Sequence, residues 1–140
     1  MKPKYQQAHM KVAHIYSELS HARRLKVGAL IVKDDRIISI GYNGMPSGWD
    51  NNCELEQEDG TLKTKPEVLH AETNAIAKLA RSSESGLGST LFVTHSPCLD
   101  CAKIIYQSGI RHVYYATDYR DDSGITFLRN SGIQVDRLDV

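Results

Sequence analysis

The sequence predicts an α/β fold in which a mixed five-stranded sheet is covered by helices. Three observations predict it. Segments of helical periodicity alternate with short β-rich runs, the first two runs are separated by a few polar residues, and every later run follows a helix pattern. With 140 residues, 41% hydrophobic and 24% charged, the chain is sized for one compact domain with a single core, spanning residues 1–140.

The elements follow in order. From about Tyr5 to Ser20, Ala8, Val12, Ile15, Tyr16 and Leu19 recur at helical spacing without proline or glycine, which predicts an amphipathic opening helix ending near SHARRLK. VGALIV and RIISIGY are β-rich and joined by the polar KDD, the pattern of a strand hairpin. From Asn43 to Pro66 glycines, prolines, acids and amides replace periodic apolar residues, so this stretch reads as a long surface loop, and loops of that length in compact domains are usually functional. PEVLHAETNAIAKLAR then has a helix pattern, TLFVTH reads as a buried strand, CLDCAKIIYQSG as a helix closed by Gly109, and HVYYAT as another strand. GITFLRNSG gives a short helix and IQVDRL a last strand. No internal repeat or low-complexity tract interrupts the series.

Composition narrows the function classes. Seventeen basic residues balance seventeen acidic ones, so no strongly cationic surface for long nucleic acid is expected. No apolar run approaches the roughly 20 residues that span a bilayer, and MKPKYQQAHM lacks the apolar stretch of a secretory signal, which places the protein in the cytosol. Three cysteines are an odd number and two stand three positions apart, favouring a reduced metal site over a disulfide framework. Cys53 is left over and reads as structural, since no ligand spacing joins it to His14 or His21. His9, His95 and His112 are assigned to surface or core packing.

The chemistry is concentrated in two segments, each predicted at the start of a helix, where the helix dipole favours thiolates and anions. His70 and Glu72 lie in HAE; Cys98 and Cys101 lie in PCLDC, with Pro97 placed to begin its helix. Cysteines at i and i+3 share a helical face. One imidazole and two thiolates make three ligands and leave a fourth tetrahedral position for water, the arrangement of catalytic rather than structural zinc. Taken alone, CxxC also fits half of a structural zinc site or a redox pair, but neither accounts for Glu72, whose carboxylate is suited to proton transfer. HxE followed by PCxxC resembles the signature of the zinc deaminases, in which the glutamate is acid and base rather than ligand.

Beyond those motifs, RRLKVGALIV, GYNGMPSG, HAETNAI and TLFVTHSPCLDCAKIIYQSGIRHVYYATDY resemble the deoxycytidylate (dCMP) deaminase family over nearly the whole chain. The resemblance implies a three-layer cytidine-deaminase-like fold and zinc-dependent hydrolysis of dCMP to dUMP and ammonia in pyrimidine deoxynucleotide metabolism. GYNGMPSG and Asn74 carry the choice of dCMP over other substrates. Asn43 resembles the asparagine that holds the substrate sugar, a position that a turn residue also fits. Arg23, Arg24 and Lys26 form a basic cluster suited to the substrate phosphate, or to complementing a helix C-terminus. Tyr119 resembles a position near the nucleotide.

Some members of that family are hexamers raised in activity by dCTP and lowered by dTTP, with Mg2+ accompanying the triphosphate. The resemblance extends that expectation to the loop Gly44, Met45, Pro46, Ser47 and Gly48, whose backbone donors can approach phosphates, and to Arg81, which alternatively caps its helix. Cys53 to Lys65 is the least family-like stretch. The competing readings are a tRNA adenosine deaminase, which a neutral composition disfavours, a nucleoside deaminase, and an inert zinc-stabilised binding domain.

Overall fold

Ala29, Leu30, Ile31 and Val32 are buried one after another, which an isolated strand with a wet face does not do. They belong to β1 (Gly28–Lys33), which lies inside a sheet covered on both faces. In the computed structural model, which describes residues 1–140, β1 pairs antiparallel with both β2 (Arg36–Tyr42) and β5 (Thr90–His95). β6 (His112–Thr117) and β7 (Gln134–Arg137) continue the sheet in parallel, giving the order β2-β1-β5-β6-β7. The five-stranded mixed sheet is the one the pattern predicts.

Helices form the outer layers. α1 (Pro3–Ser17) lies on one face, where Met10 and Ala13 join Leu30, Val32, Phe92 and Tyr114. α2 (Ala71–Ala80), α3 (Leu99–Gln107) and α4 (Ser123–Asn130) cover the other, around Ile31, Val93, Ile105, Val113 and Leu128. The β1–β2 turn is made by Asp34 and Asp35, both with positive φ (51° and 59°), the backbone of a two-residue turn matched to strand twist. No helix is long and apolar enough to cross a membrane.

Three elements differ from the sequence pattern, each for a physical reason. The buried face of α1 is Met10, Ala13 and Ser17, while Ile15 and Leu19 are 59% and 53% exposed. Small residues let the helix lie close to the sheet, and the Ser17 hydroxyl donates to the His14 carbonyl at 2.6 Å, so a polar group is buried without an unmet partner. The stretch 43–66 is not wholly irregular, because β3 (Glu54–Glu56) and β4 (Leu62–Thr64) form a short antiparallel hairpin within it. α2 begins at Ala71 rather than near Pro66, because Leu69 exchanges backbone hydrogen bonds with Gly44 and His70 is extended (φ −77°, ψ 155°).

Candidate active site

The starts of α2 and α3 meet beside the sheet. His70 is the N-cap of α2 and Cys98 the N-cap of α3, with Cys101 one turn further in. Two glycines permit the approach: a Cβ on Gly41 of β2 would run into the Ala71 carbonyl of α2, and one on Gly124 of α4 into the Pro97 carbonyl ahead of α3. The structure thereby brings together three of the expected residues. The ligand atoms of His70, Cys98 and Cys101 all lie within 4.8 Å of one another, and His70 Nδ1 stands 3.1 Å from Cys101 Sγ and 3.7 Å from Cys98 Sγ.

Electrostatics mark the same cluster. The Cys98 thiol is held down to about 4 by its hydrogen bond with Cys101 and then by His70. Cys101 is pushed up by that same sulfur partner and by burial. His70 is raised by its hydrogen bond with Cys98, against the effect of burial. Two sulfurs and one imidazole at this spacing fit zinc, whose sites are built from thiolate and imidazole donors. Glu72, 5% exposed, is pushed up to about 7 chiefly by burial, the range in which a carboxyl both takes and gives protons near neutral pH.

A cavity of about 370 Å³ opens onto this cluster and is lined by His70, Glu72 and Cys98 together with Asn43, Arg24 and Tyr119. The Asn43 amide points back into the chain: Oδ1 accepts from the Val27 N–H at 2.9 Å and Nδ2 donates to the Leu25 carbonyl at 2.8 Å. It braces the cavity wall as well as lining it. Of the basic cluster, only Arg24 lines the cavity. Arg23 pairs with the buried Glu54 at 3.4 Å, and Lys26 is exposed and not among the lining residues.

Several lining residues carried no signal in the sequence. Arg120 and His95 both face the cavity, although His95 reads on sequence as a packing residue. His95 is lowered by burial and then by the neighbouring His14. Glu54, Thr64 and Cys53 reach the cavity from the β3–β4 hairpin and its lead-in; Cys53 is buried and unbridged. Sequence periodicity cannot say which end residues of strands and loops turn toward a shared space, although Arg120 stands next to Tyr119 and His95 just before PCLDC.

Gly44, Met45, Pro46, Ser47 and Gly48 form a turn after β2, and Gly44 is bridged to Leu69 just before His70. Arg81 caps the opposite, C-terminal end of α2, and its side chain has no partner within the chain. Within one chain these two groups do not converge.

A three-layer α/β sheet with His, Cys and Cys gathered at two helix starts beside a buried glutamate defines the class of zinc-dependent hydrolytic deaminases. The model of the cytidine and deoxycytidylate deaminase zinc-binding region matches residues 3–117, and the chain belongs to that family. It is 36% identical to the deoxycytidylate deaminase of Enterobacteria phage T4 over 90% of this chain and 86% of that one. It is 38% identical to the human deoxycytidylate deaminase over 86% of this chain and 69% of that one. Among solved structures, the dCMP deaminase from cyanophage S-TIM5 in complex with dCMP and dUMP superposes with a TM-score of 0.92, at 50% identity and 99% coverage of both chains.

Proposed function

We propose that this chain is a single-domain dCMP deaminase, converting dCMP and water to dUMP and ammonia. The observation that carries the reading is one small cavity lined both by the His70, Cys98 and Glu72 cluster and by two arginines, Arg24 and Arg120. About 370 Å³ lies near the lower end of ligand pockets, roughly 300–1,000 Å³, which suits one nucleotide rather than a polynucleotide. Of its two acids, Glu54 is paired with Arg23, which offsets its charge toward an anion. The two arginines therefore favour a phosphate, and the S-TIM5 relative's binding of dCMP and dUMP supports the same substrate.

His70, Cys98 and Cys101 would hold the zinc. When bound, the metal supplies Lewis-acid chemistry that makes water nucleophilic near neutral pH. Glu72 moves the protons: it accepts one as water adds at C4 of the cytosine ring, delivers it to N3, and assists departure of the amino group as ammonia. Asn43 and Tyr119 would border the sugar and base, and Arg24 with Arg120 would hold the phosphate. The experiment is Glu72→Gln. That variant keeps all three metal ligands, so it should retain zinc while turnover falls by roughly 10²- to 10⁴-fold; near-normal turnover would remove Glu72 from the mechanism.

Regulation by dCTP and dTTP, with Mg2+ on the triphosphate, belongs to the same proposal. The Gly44–Leu69 bridge supports it, since a ligand on the Gly44–Gly48 loop would press on the residue next to His70. Because Arg81 lies at the far end of α2, an effector site using both is built between subunits of an oligomer such as a hexamer.

A further inference from the structure

Resting on the phosphate role given to Arg24, we propose that the cross-strand pair Glu54–Thr64 of the β3–β4 hairpin is the platform that positions Arg24, so that this hairpin sets the preference for a phosphorylated substrate. The two residues are directly opposite in the hairpin register. Each grips a different part of the same arginine. Glu54 Oε2 accepts from the Arg24 backbone N–H at 3.1 Å, and Thr64 Oγ1 accepts from Arg24 Nη1 at 3.1 Å. All three residues line the cavity.

The charges divide the work between neighbours. Glu54 also accepts from the Arg23 backbone N–H at 2.9 Å and from Arg23 Nε at 3.4 Å, so Arg23 is its counter-ion. Arg24 spends only one of its several N–H donors, on a neutral hydroxyl, and keeps its charge and the remaining donors for an anion. A carboxylate without Arg23 would instead oppose an incoming phosphate. A guanidinium held in place before binding loses less freedom on binding, which is how a residue away from the ligand changes affinity for it. Asn43 holds the next part of the same segment through Leu25 and Val27, so the Arg24 backbone is fixed on both sides.

The test compares kcat/KM for dCMP and for deoxycytidine in zinc-loaded wild type, Thr64→Val, Glu54→Gln, Arg24→Ala and the Arg24→Ala/Thr64→Val double variant. Thr64→Val keeps the side-chain shape and removes the acceptor. It should lower the dCMP-to-deoxycytidine ratio about three- to ten-fold, mainly through KM for dCMP, with zinc content intact. Glu54→Gln should lower the ratio at least as much. On the Arg24→Ala background, Thr64→Val should add nothing, because its effect passes through that arginine. A ratio within about two-fold of wild type in both hairpin variants, while Arg24→Ala collapses it, would overturn the platform and leave the phosphate role standing. Additive effects in the double variant would also overturn it. An unchanged ratio in Arg24→Ala would overturn the phosphate role and the platform together. Should Glu54→Gln fail to fold, Thr64→Val and the double variant decide the matter.

Discussion

Glu54 is 1% exposed, and burial alone would raise its carboxyl above the ordinary 4.5. The Arg24 and Arg23 N–H groups, and then the Arg23 guanidinium, outweigh burial and hold it below that value. A carboxylate depressed by folding stabilises the native state above its unfolded pKa and loses that contribution as pH falls through the folded one. The melting-temperature gap between wild type and Glu54→Gln should therefore be constant above about pH 5 and shrink as the solution is acidified below about 4.5. A gap that stays constant down to pH 3 would contradict this assignment. None of it was legible in the sequence, where Glu54 is one acid among several in a polar stretch. His70, Glu72, Cys98 and Cys101 were legible because zinc and proton transfer demand particular residue types at fixed spacing. Arg120 and His95 were not, since nothing in their neighbourhood's periodicity reveals which side of a strand end or loop meets the cavity.

At the level of elements, the site depends on how closely helices pack, and no ligand need be touched to disturb it. Gly124→Ala would push a methyl group into the Pro97 carbonyl and the Cys98 backbone, forcing α4 away from the start of α3. Overpacking of this kind costs about 1–3 kcal/mol, so both melting temperature and zinc content should fall, with zinc lost at chelator concentrations the wild type withstands. Unchanged zinc retention would show that the contact has room to relax. TLFVTH and HVYYAT were read from sequence to the residue, because their continuous apolar runs are covered on both faces of the sheet. The β3–β4 hairpin escaped because it has no buried apolar stripe: Leu55 is 53% exposed, and what ties the hairpin down is the buried charge of Glu54. The start of α2 escaped because the bridge to Gly44 is a long-range contact that local propensity cannot register.

The whole molecule joins a His-Cys-Cys cluster, a cavity lined by two arginines and a helix, α2, that has Glu72 near one end and Arg81 at the other. About 14 Å separates those two residues along the helix axis, at 1.5 Å per residue, so the effector proposed at Arg81 would act without touching the substrate. If the proposed regulation holds, Arg81→Glu should blunt the responses to dCTP and dTTP and spare zinc binding; full retention of both responses would place the effector elsewhere. The fold was legible at this scale because alternating helix and strand patterns leave few topologies, whereas assembly and regulation are properties of surfaces that one chain's periodicity does not encode. Deamination of dCMP by a zinc-dependent site is checked by measuring ammonia release from dCMP, CMP, deoxycytidine, dCTP and a tRNA adenosine, with the zinc-loaded enzyme and after chelation. kcat/KM should be highest for dCMP, roughly ten- to a hundred-fold above deoxycytidine, and chelation should abolish turnover that zinc restores. Equal or faster deamination of deoxycytidine, or dCMP turnover that survives complete removal of zinc, would contradict it.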